Sequence, residues 1–178
     1  MVFQKATLMP WRTVLQNVLF PIEMLGLPLS DYQAEARALI DMVGLHGFED
    51  VYPQELSGGM QQRAAICRAL VYDPKLLLMD EPFGALDALT REEMVLELLR
   101  IWNERRKTVI FVTHSISEAV FLADRVLVMT PRPGRVVLDL PIDLPRPRVA
   151  DMEFTQEFKR YSDIVRDEIY AGKRARKD

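Results

Sequence analysis

Residues 56–87 read LSGGMQQRAAICRALVYDPKLLLMDEPFGALD and decide the fold. A Ser-Gly-Gly turn at residues 57–59 opens an apolar pattern that predicts a helix ending near residue 72, where an Asp-Pro pair stops it. The apolar run over residues 75–80 is typical of a buried parallel strand with both faces covered. An Asp-Glu pair stands at the end of this run. This order of a glycine turn, a helix, a strand and two carboxylates indicates a site that binds phosphate. A GxxxxGK[ST] loop, however, is absent from all 178 residues.

The composition predicts one ordinary globular domain, since 178 residues of which 49% are apolar suffice for a buried core. The net charge of −3 gives no sign of a nucleic-acid partner. The single cysteine, Cys67, is expected to be a small core residue in a reducing compartment. No apolar run approaches the ~20 residues that span a bilayer, and the start lacks the order of a secretion signal. We therefore expect a cytoplasmic chain that meets a membrane only through a partner protein.

Apolar periodicity predicts several helices besides the one that follows the Ser-Gly-Gly turn. One covers residues 11–25, where Pro21 should bend or break it. Another begins at a capping box of Ser30 and Gln33 and is terminated by Gly44. The remaining helices are predicted over residues 90–106 with an inner face of Met94, Val95, Leu98, Leu99 and Trp102, over residues 115–122 with a second capping box of Ser115 and Glu118, and over a final amphipathic segment with Phe154, Phe158, Tyr161, Ile164, Val165 and Ile169.

Short apolar runs predict the strands. The end of a strand is expected at residues 1–3, and whole strands over residues 108–113, 125–129 and 135–140. Because strands and helices alternate, we expect an α/β layered sheet with right-handed crossovers. Residues 141–147 contain three prolines and are predicted to form a linker or an extended edge.

Asp80 and Glu81 lie where a predicted parallel strand ends, which is where open α/β sheets place their ligands. Adjacent strand residues point to opposite sides, so the two carboxylates can have separate tasks. Asp80 could hold the water shell of a magnesium ion, and Glu81 could polarise an attacking water as general base. The alternative, with about equal weight for this tripeptide alone, is a polar strand terminus that runs into a proline turn.

Two further places could handle phosphate. His114 follows the neighbouring strand, and in a parallel sheet it would emerge at the same edge as Glu81, where a histidine can donate to a phosphate oxygen or orient water. The alternative is a structural histidine. Ser57, Gly58 and Gly59 offer free backbone N–H groups at the start of a helix, which is an anion site, although a simple serine N-cap explains the turn by itself.

The order LSGGMQQR, LLLMDEPFGALD and FVTHS resembles the nucleotide-binding subunit of an ABC transporter. The resemblance implies a P-loop NTPase-like α/β domain, present in part as the helical subdomain and the Walker B half of the layered sheet. It implies ATP and Mg²⁺ as cofactors. On this resemblance the catalytic residues are Glu81 and His114, the cofactor-binding residues are Gln4, Ser57, Gly58, Gly59, Gln61 and Asp87, and the metal is held through Asp80 and Gln4.

The resemblance also implies an organisation and partners. It divides the chain into residues 1–74 with the Q-loop, helical subdomain and signature helix, residues 75–140 with the catalytic-core half, and residues 141–178 with a linker and helical tail. Residues 11–25, from Trp11 to Leu25, would receive a transmembrane permease, which places the subunit on the inner face of the membrane. A second ATPase subunit would pair head to tail. The start of the chain, the PRPGR turn and the LPRPR linker resemble importers of nitrate, sulfonate or taurine.

The chain departs from this family in one large respect. The P-loop and the aromatic residue that stacks on adenine are both absent, so we expect an N-terminally incomplete ATPase chain that shows no ATP turnover alone. We also expect an unpaired apolar sheet edge and a core that is open on one side. The alternative is a regulatory or pairing module that binds a permease or a full-length subunit without hydrolysing ATP. The intact Glu81 and His114 argue mildly against that alternative.

Overall fold

The computed structural model describes residues 1–174 and divides into two compact units. The first unit is Met1–Val112, and the second begins at Thr113. The last four residues of the predicted tail, 175–178, lie outside the described residues. None of the described helices is long and apolar enough to cross a membrane. The division into residues 1–74, 75–140 and 141–178 stays a prediction.

The first unit is built around three packed helices. Helix α1 spans Val14–Met24, α2 spans Leu29–Met42 and α3 spans Gly58–Leu70, and α1 packs against both α2 and α3. A short 3₁₀ turn, Pro53–Glu55, leads into α3. Helix α4, Ala88–Glu104, buries Met94, Val95, Leu98 and Leu99 as predicted, with Ile101 in addition and Trp102 only half-buried.

The predicted break at Pro21 is wrong, because α1 runs through it without interruption. The helix begins at Val14, after a capping box in which the Thr13 hydroxyl accepts from the Gln16 N–H at 3.4 Å. Pro21 lies in the last turn, so its missing N–H removes only one intrahelical hydrogen bond. The Leu25 N–H still donates to the Pro21 carbonyl at 3.0 Å. A proline this close to a helix end is therefore tolerated.

The predicted capping box of Ser30 and Gln33 is also wrong. Helix α2 begins two residues earlier than a Ser30 N-cap would start it, at Leu29, after Pro28. Ser30 thus lies inside the first turn and donates to Asp31 Oδ1 at 3.0 Å. The predicted end is confirmed, because Gly44 has a φ of +69° and Leu45 N–H donates to the Ile40 carbonyl at 2.9 Å.

The sheet of the first unit pairs β1, Leu76–Asp80, with β2, Thr108–Val112, in parallel. Val2 extends this sheet by an isolated parallel bridge, in which its N–H donates to the Leu78 carbonyl at 2.8 Å and its carbonyl accepts from Asp80 at 2.9 Å. The predicted strand end at residues 1–3 is thus confirmed as a single bridge. Strand β1 lies between Val2 and β2.

One face of this sheet is exposed, which agrees with the expected core open on one side and contradicts the expectation that both faces of β1 are covered. Leu77 and Met79 are buried, whereas Leu76 and Leu78 are 45% and 38% exposed. Ile110 and Val112 of β2 are exposed as well. The expectation of two covered faces is wrong for the described residues. A continuous apolar run shows that both faces of a strand could be buried, but each face is buried only where another layer packs on it.

The second unit contains α5, Ile116–Leu122, then β3, Arg125–Met129, and β4, Val136–Pro141. The two strands form an antiparallel pair with an irregularity at Val128/Met129. Within residues 1–174 the named strands therefore form two two-stranded sheets, one parallel and one antiparallel, instead of one layered sheet. A 3₁₀ turn, Ala150–Phe154, precedes the last helix, α6, Gln156–Arg174.

The segment after β4, predicted to be a linker or an extended edge, packs on the second unit. Ile142 and Leu144 are buried, and the Asp143 N–H donates to the Tyr161 hydroxyl at 3.2 Å. Helix α6 buries Phe158, Tyr161 and Val165, in agreement with the predicted face. Phe154 departs from that face and is 88% exposed, because it belongs to the preceding 3₁₀ turn and not to the helix. Ile164 is also exposed.

Candidate functional site

The Ser-Gly-Gly turn, residues 57–59, forms the start of α3. The Ser57 hydroxyl is the N-cap and accepts from the Met60 N–H at 3.3 Å. The N–H groups of Gly58 and Gly59 belong to the first turn of a helix, where no intrahelical acceptor is available. Ser57 and Gly58 are exposed. The arrangement presents free donors and the positive end of a helix dipole, which together suit an anion.

Both glycines of this turn face the segment that begins α4. A Cβ placed on Gly59 would lie 2.7 Å from Thr90 Cγ2, and one placed on Gly58 would lie 3.6 Å from Leu86 Cδ2. The first distance is too short for two carbon atoms, whereas the second is an ordinary contact. Gly59 is therefore required by the close approach of the turn to α4, and Gly58 is not.

Asp87, predicted to bind nucleotide, is the N-cap of α4 in this structure. Its Oδ1 accepts from the Thr90 N–H at 3.1 Å, and this hydrogen bonding holds the pKa of Asp87 below its ordinary value. The helix consequently begins at Ala88, two residues before the predicted start. An aspartate directly before the Ala-Leu-Thr-Arg run was the available signal. Arg91 closes the preceding turn by donating to the Phe83 and Leu86 carbonyls at 3.2 and 2.9 Å.

The two acidic residues follow one another at the end of β1 but differ in backbone. Asp80 is the last residue of the strand and is exposed. Glu81 has a φ of +44°, in the left-handed region, and its N–H donates to the Val112 carbonyl at 2.8 Å. Glu81 therefore leaves the extended strand, so the simple alternation of strand side chains does not apply to this pair.

Gln4 lies beside the turn that follows Glu81. A Cβ on Gly84 would lie 2.8 Å from Gln4 Nε2, and the Gly84 N–H donates to the Glu81 carbonyl at 3.0 Å. Because Val2 bridges to Met79, the same short segment brings Gln4 to the end of β1. Gln4, Asp80 and Glu81 are thus held in one neighbourhood of the first unit.

Gln61 and His114 occupy different surroundings. The Gln61 side-chain amide donates to the Pro53 carbonyl at 2.9 Å and the Leu56 carbonyl at 3.2 Å, which fixes the approach to α3. His114 belongs to the second unit and is exposed, directly before the Ser115 N-cap of α5. Their roles toward a nucleotide, and the predicted meeting of His114 with Glu81, stay predictions.

The predicted capping box after His114 is replaced by a relay through Thr113. The Ser115 hydroxyl accepts from the Glu118 N–H at 3.3 Å, as expected. The Ser115 N–H, however, donates to Thr113 Oγ1 at 3.0 Å, and the Thr113 hydroxyl donates to Glu118 Oε2 at 2.6 Å. Thr113 therefore stands between the two partners of the box and fixes the backbone on both sides of His114.

The sequence patterns missed three polar residues that hold the segment around Gln4. Asn17, fully buried in α1, donates to the Met9 carbonyl at 3.2 Å and accepts from the Met9 N–H at 2.8 Å. Gln62 and Arg68 of α3 donate to carbonyls on either side of Gln4. A polar residue on an otherwise apolar helix face was the only signal, and it does not name the partner.

Comparison with known proteins finds similarity to one family. The ABC transporter family model matches residues 1–84. An uncharacterized ABC transporter ATP-binding protein of Methanocaldococcus jannaschii is 56% identical over 169 residues, which are 94% of this chain and 63% of that protein. The taurine import ATP-binding protein of Rhizobium johnstonii is 52% identical over 82% of this chain and 55% of its own length. The nitrate import ATP-binding protein of Synechocystis is 45% identical over 93% of this chain and 64% of its own length.

A solved structure gives the same result for the fold. The cbiO1 protein of Clostridium perfringens, described as part of the ABC transporter complex cbiONQ, superposes with a TM-score of 0.72 at 28% identity and covers 92% of this chain and 62% of that one. The chain matches the ATP-binding domain of ABC transporters, as its sequence predicted, and the predicted fold class is confirmed. It spans about three fifths of the length of the relatives it matches.

Proposed function

We propose that this chain is part of the ATPase that energises an ABC importer of small anions such as nitrate, sulfonate or taurine. The observation that carries the proposal is the Ser-Gly-Gly turn, whose free N–H groups open α3 while Gly59 packs on α4. The names of the taurine and nitrate import relatives support the class of transported solute. In this function the turn binds the phosphates of ATP.

The residues near the end of β1 fit a magnesium ion. Mg²⁺ prefers oxygen ligands and usually keeps several waters, binding through one or two carboxylates and the substrate phosphates. Asp80 supplies an exposed carboxylate, and Gln4 supplies an amide oxygen in the same neighbourhood. Among residues 1–174 no group of three or more His, Cys, Asp or Glu side chains could enclose a metal alone, which suits an ion shared with phosphate. Bound there, Mg²⁺ would neutralise phosphate charge.

The proposed chemical roles of the chain's own residues follow from their positions. Glu81 accepts the proton of the attacking water as general base, and its left-handed backbone carries it away from the strand that ends at Asp80. His114 donates a hydrogen bond to phosphate, with its backbone fixed by Thr113 and Ser115.

The proposed partners are a permease and a second ATPase subunit. Trp11 is 72% exposed, and Met24 and Leu25 at the other end of α1 are exposed as well. Large apolar side chains left in water at both ends of one segment suit a protein partner, and we assign residues 11–25 to the permease. The ATPase would then lie on the inner face of the membrane. A head-to-tail subunit pair would place the Ser-Gly-Gly turn over the nucleotide of the other subunit.

The phosphate cradle is proposed to come from polypeptide outside these residues, because the 178 residues contain no GxxxxGK[ST] sequence. The chain alone is therefore expected to show no ATP turnover above background. Mixed with a full-length ATP-binding subunit of the same transporter whose own Ser-Gly-Gly turn has been inactivated by substitution, it is expected to raise turnover by completing that subunit's site with its intact turn.

The test uses Gly58→Asp with Gly58→Asn as its matched control. Gly58 is exposed and has room for a side chain, and a carboxylate at the start of a helix stabilises the helix while repelling phosphate. We expect Gly58→Asp to lower the stimulated turnover by about tenfold or more and Gly58→Asn by much less. Equal turnover in both variants would refute the role of the turn. Turnover by the chain alone that Glu81→Gln abolishes would refute the need for another P-loop.

A further inference from the structure

The LPRPR segment, residues 144–148, brings two arginines to the end of helix α5. Arg148 Nη1 donates to three backbone carbonyls at 3.3, 2.8 and 2.8 Å, those of Val120, Phe121 and Ala123. Arg146 Nη2 donates to the Leu122 carbonyl at 3.0 Å. Each carbonyl from residue 120 to residue 123 therefore accepts a hydrogen bond from Arg146 or Arg148, and we call these two residues the arginine cap.

The carbonyls that the arginine cap binds are those at the end of a short helix. Helix α5 ends at Leu122, and the last four carbonyls of an α-helix have no donor within the helix beyond its end. Positive charge is favourable at this end of a helix dipole, and charge-assisted hydrogen bonds are stronger than neutral ones. Because α5 has only seven residues, a length at which an isolated helix is marginal, its position depends on the groups that bind its two ends.

The burial of Arg148 is unfavourable in itself. Only 6% of the residue is exposed, and burial lowers its pKa to about 10, so the guanidinium is still charged at neutral pH. Its Nε and Nη2 atoms are buried and have no hydrogen-bond partner among the described residues. An apolar side chain of similar size would avoid this desolvation cost. The geometry that Arg148 imposes on the end of α5 therefore explains its presence better than a gain in stability does.

The other arginine is fixed through Asp124, which follows the C-cap of α5. Arg146 Nε and Nη2 donate to Asp124 Oδ1 at 3.0 and 2.7 Å. The Asp124 carbonyl accepts from the Ile142 N–H at 3.0 Å, just before the LPRPR segment. Pro145 and Pro147 restrict the backbone on each side of Arg146, so less conformational freedom is lost when its side chain is fixed. The segment thus holds the end of α5 through both backbone and side chains.

The opposite end of α5 begins directly after His114. The Ala123 N–H donates to the Ala119 carbonyl at 3.2 Å, and the Ala119 N–H donates to the Ser115 carbonyl at 3.1 Å. The Ser115 N–H in turn donates to Thr113 Oγ1 at 3.0 Å. A continuous series of hydrogen bonds therefore connects the residue that Arg148 binds to the residues on both sides of His114. All of these residues belong to the second unit.

We propose that Arg146 and Arg148 are positioning residues for His114, which they hold in place through α5. The inference rests on the proposed function, in which His114 donates a hydrogen bond to phosphate. Such a donor is effective only where its backbone is held in one position before phosphate binds. Without the arginine cap, α5 would still follow His114, but its end would no longer be fixed to the LPRPR segment, and the backbone of His114 would occupy several positions.

The first experiment measures amide hydrogen exchange on the 178-residue chain without nucleotide. Arg148→Met should speed exchange of the hydrogen-bonded amides of Ala119 and Ala123 by about tenfold or more, and by much less in the ladder of β3 and β4, which belongs to the same unit. Arg148→Lys should give the same pattern with a smaller increase, because one ammonium cannot reproduce the planar fork of a guanidinium.

Two comparisons make this exchange experiment decisive. Arg166→Met removes an exposed arginine paired with Asp163 on α6 and should leave α5 unchanged. If Arg148→Met does not fold, Arg148→Lys, which keeps the charge and most of the side chain, decides the question by the same pattern. An equal rise in α5 and in the β3–β4 ladder, or no rise in α5, refutes the proposal.

The second experiment observes His114 itself. The chain contains two histidines, and His46 in the first unit serves as the internal reference. In NMR spectra without nucleotide, Arg148→Lys should displace or broaden the imidazole Cε1–H resonance of His114 and leave that of His46 unchanged. The control Val128→Ala destabilises the second unit by removing buried methyl groups from β3 without altering the arginine cap, and it should leave both resonances unchanged.

The outcome of the NMR experiment separates positioning from general stability. An unchanged His114 resonance in Arg148→Lys, or the same change in Val128→Ala, overturns the proposal. Because no nucleotide is present, this result is independent of the turnover assay. His114 can therefore prove to be held by the arginine cap while the proposed ATPase function fails, and the reverse outcome is equally visible.

Discussion

Replacing Gly59 with alanine tests the close packing of the Ser-Gly-Gly turn on α4. The new Cβ would lie 2.7 Å from Thr90 Cγ2, so the two helices must separate or Thr90 must leave its position. Overpacking of this kind costs about 1–3 kcal/mol. Alanine also gains about 0.5–1 kcal/mol over glycine in a helix. We therefore expect a net loss of up to about 2.5 kcal/mol in the free energy of unfolding.

The neighbouring glycine supplies the matched control. Gly58 lies in the same helical turn, but its Cβ would meet Leu86 Cδ2 at an ordinary 3.6 Å. Gly58→Ala should therefore keep the helical gain without the clash, and the difference between the two variants isolates the clash at about 1–3 kcal/mol. Adding Thr90→Ser to Gly59→Ala removes Cγ2 and should restore most of the loss, as a double-mutant cycle would show.

The assay is urea unfolding followed by tryptophan fluorescence. Both tryptophans, Trp11 and Trp102, belong to the first unit, so the signal reports the unit that contains the turn. The free energies come from linear extrapolation with a shared slope. The packing argument is refuted if Gly59→Ala and Gly58→Ala unfold at the same urea concentration, or if Thr90→Ser leaves the Gly59→Ala loss unchanged.

Three further outcomes are expected. Asp87→Ala should lower the urea midpoint more than Asp87→Asn, which keeps an acceptor for the Thr90 N–H. Because folding lowers the pKa of Asp87, its carboxylate stabilises the fold above the ordinary pKa of about 3.9, and this stabilisation is lost as pH falls through the lowered pKa. The urea midpoints of the unsubstituted chain and Asp87→Ala should therefore differ at neutral pH and converge at acid pH, and a difference that stays constant with pH would contradict this. Thr113→Val should cost about 1–3 kcal/mol by removing a donor to the buried Glu118, measured by amide exchange in α5, and Thr113→Ser should cost little; equal protection in both variants would count against the relay. Cys67 should stay unreactive toward a thiol reagent at mildly alkaline pH until urea is added, because burial raises its pKa, and rapid labelling of the folded chain would disprove that burial.

The sequence predicted the elements whose cause is local. Strand β3 has the predicted bounds, because an apolar run between a helix end and a proline turn leaves little choice. Gly44 ends α2 as predicted, since glycine adopts the left-handed cap without strain. The serine cap of α3 is likewise local, because the Ser57 hydroxyl accepts from the N–H of Met60, three residues further along the chain. The family was predicted correctly from the same short motifs.

The errors concern positions whose outcome depends on distant residues. Whether Leu76 and Leu78 are buried is decided by what packs on the sheet and not by the strand itself. The break that Pro21 was expected to cause, as the alternative to a bend, is a different kind of error, because it depends on how close the helix end lies. The hydrogen bonds from Arg68 to residues 6 and 7 join parts of the chain more than 60 residues apart, so no local pattern predicts them.

The positive φ of Glu81 has an evolutionary consequence. The left-handed conformation costs a residue with a Cβ about 1–2 kcal/mol, and glycine adopts it freely, an advantage offset only in part by glycine's greater freedom in the unfolded chain. A glutamate codon becomes a glycine codon by a single base change. A gene copy released from selection for this carboxylate is therefore expected to drift toward glycine at this position. A lineage that retains glutamate here records continued selection for chemistry over stability.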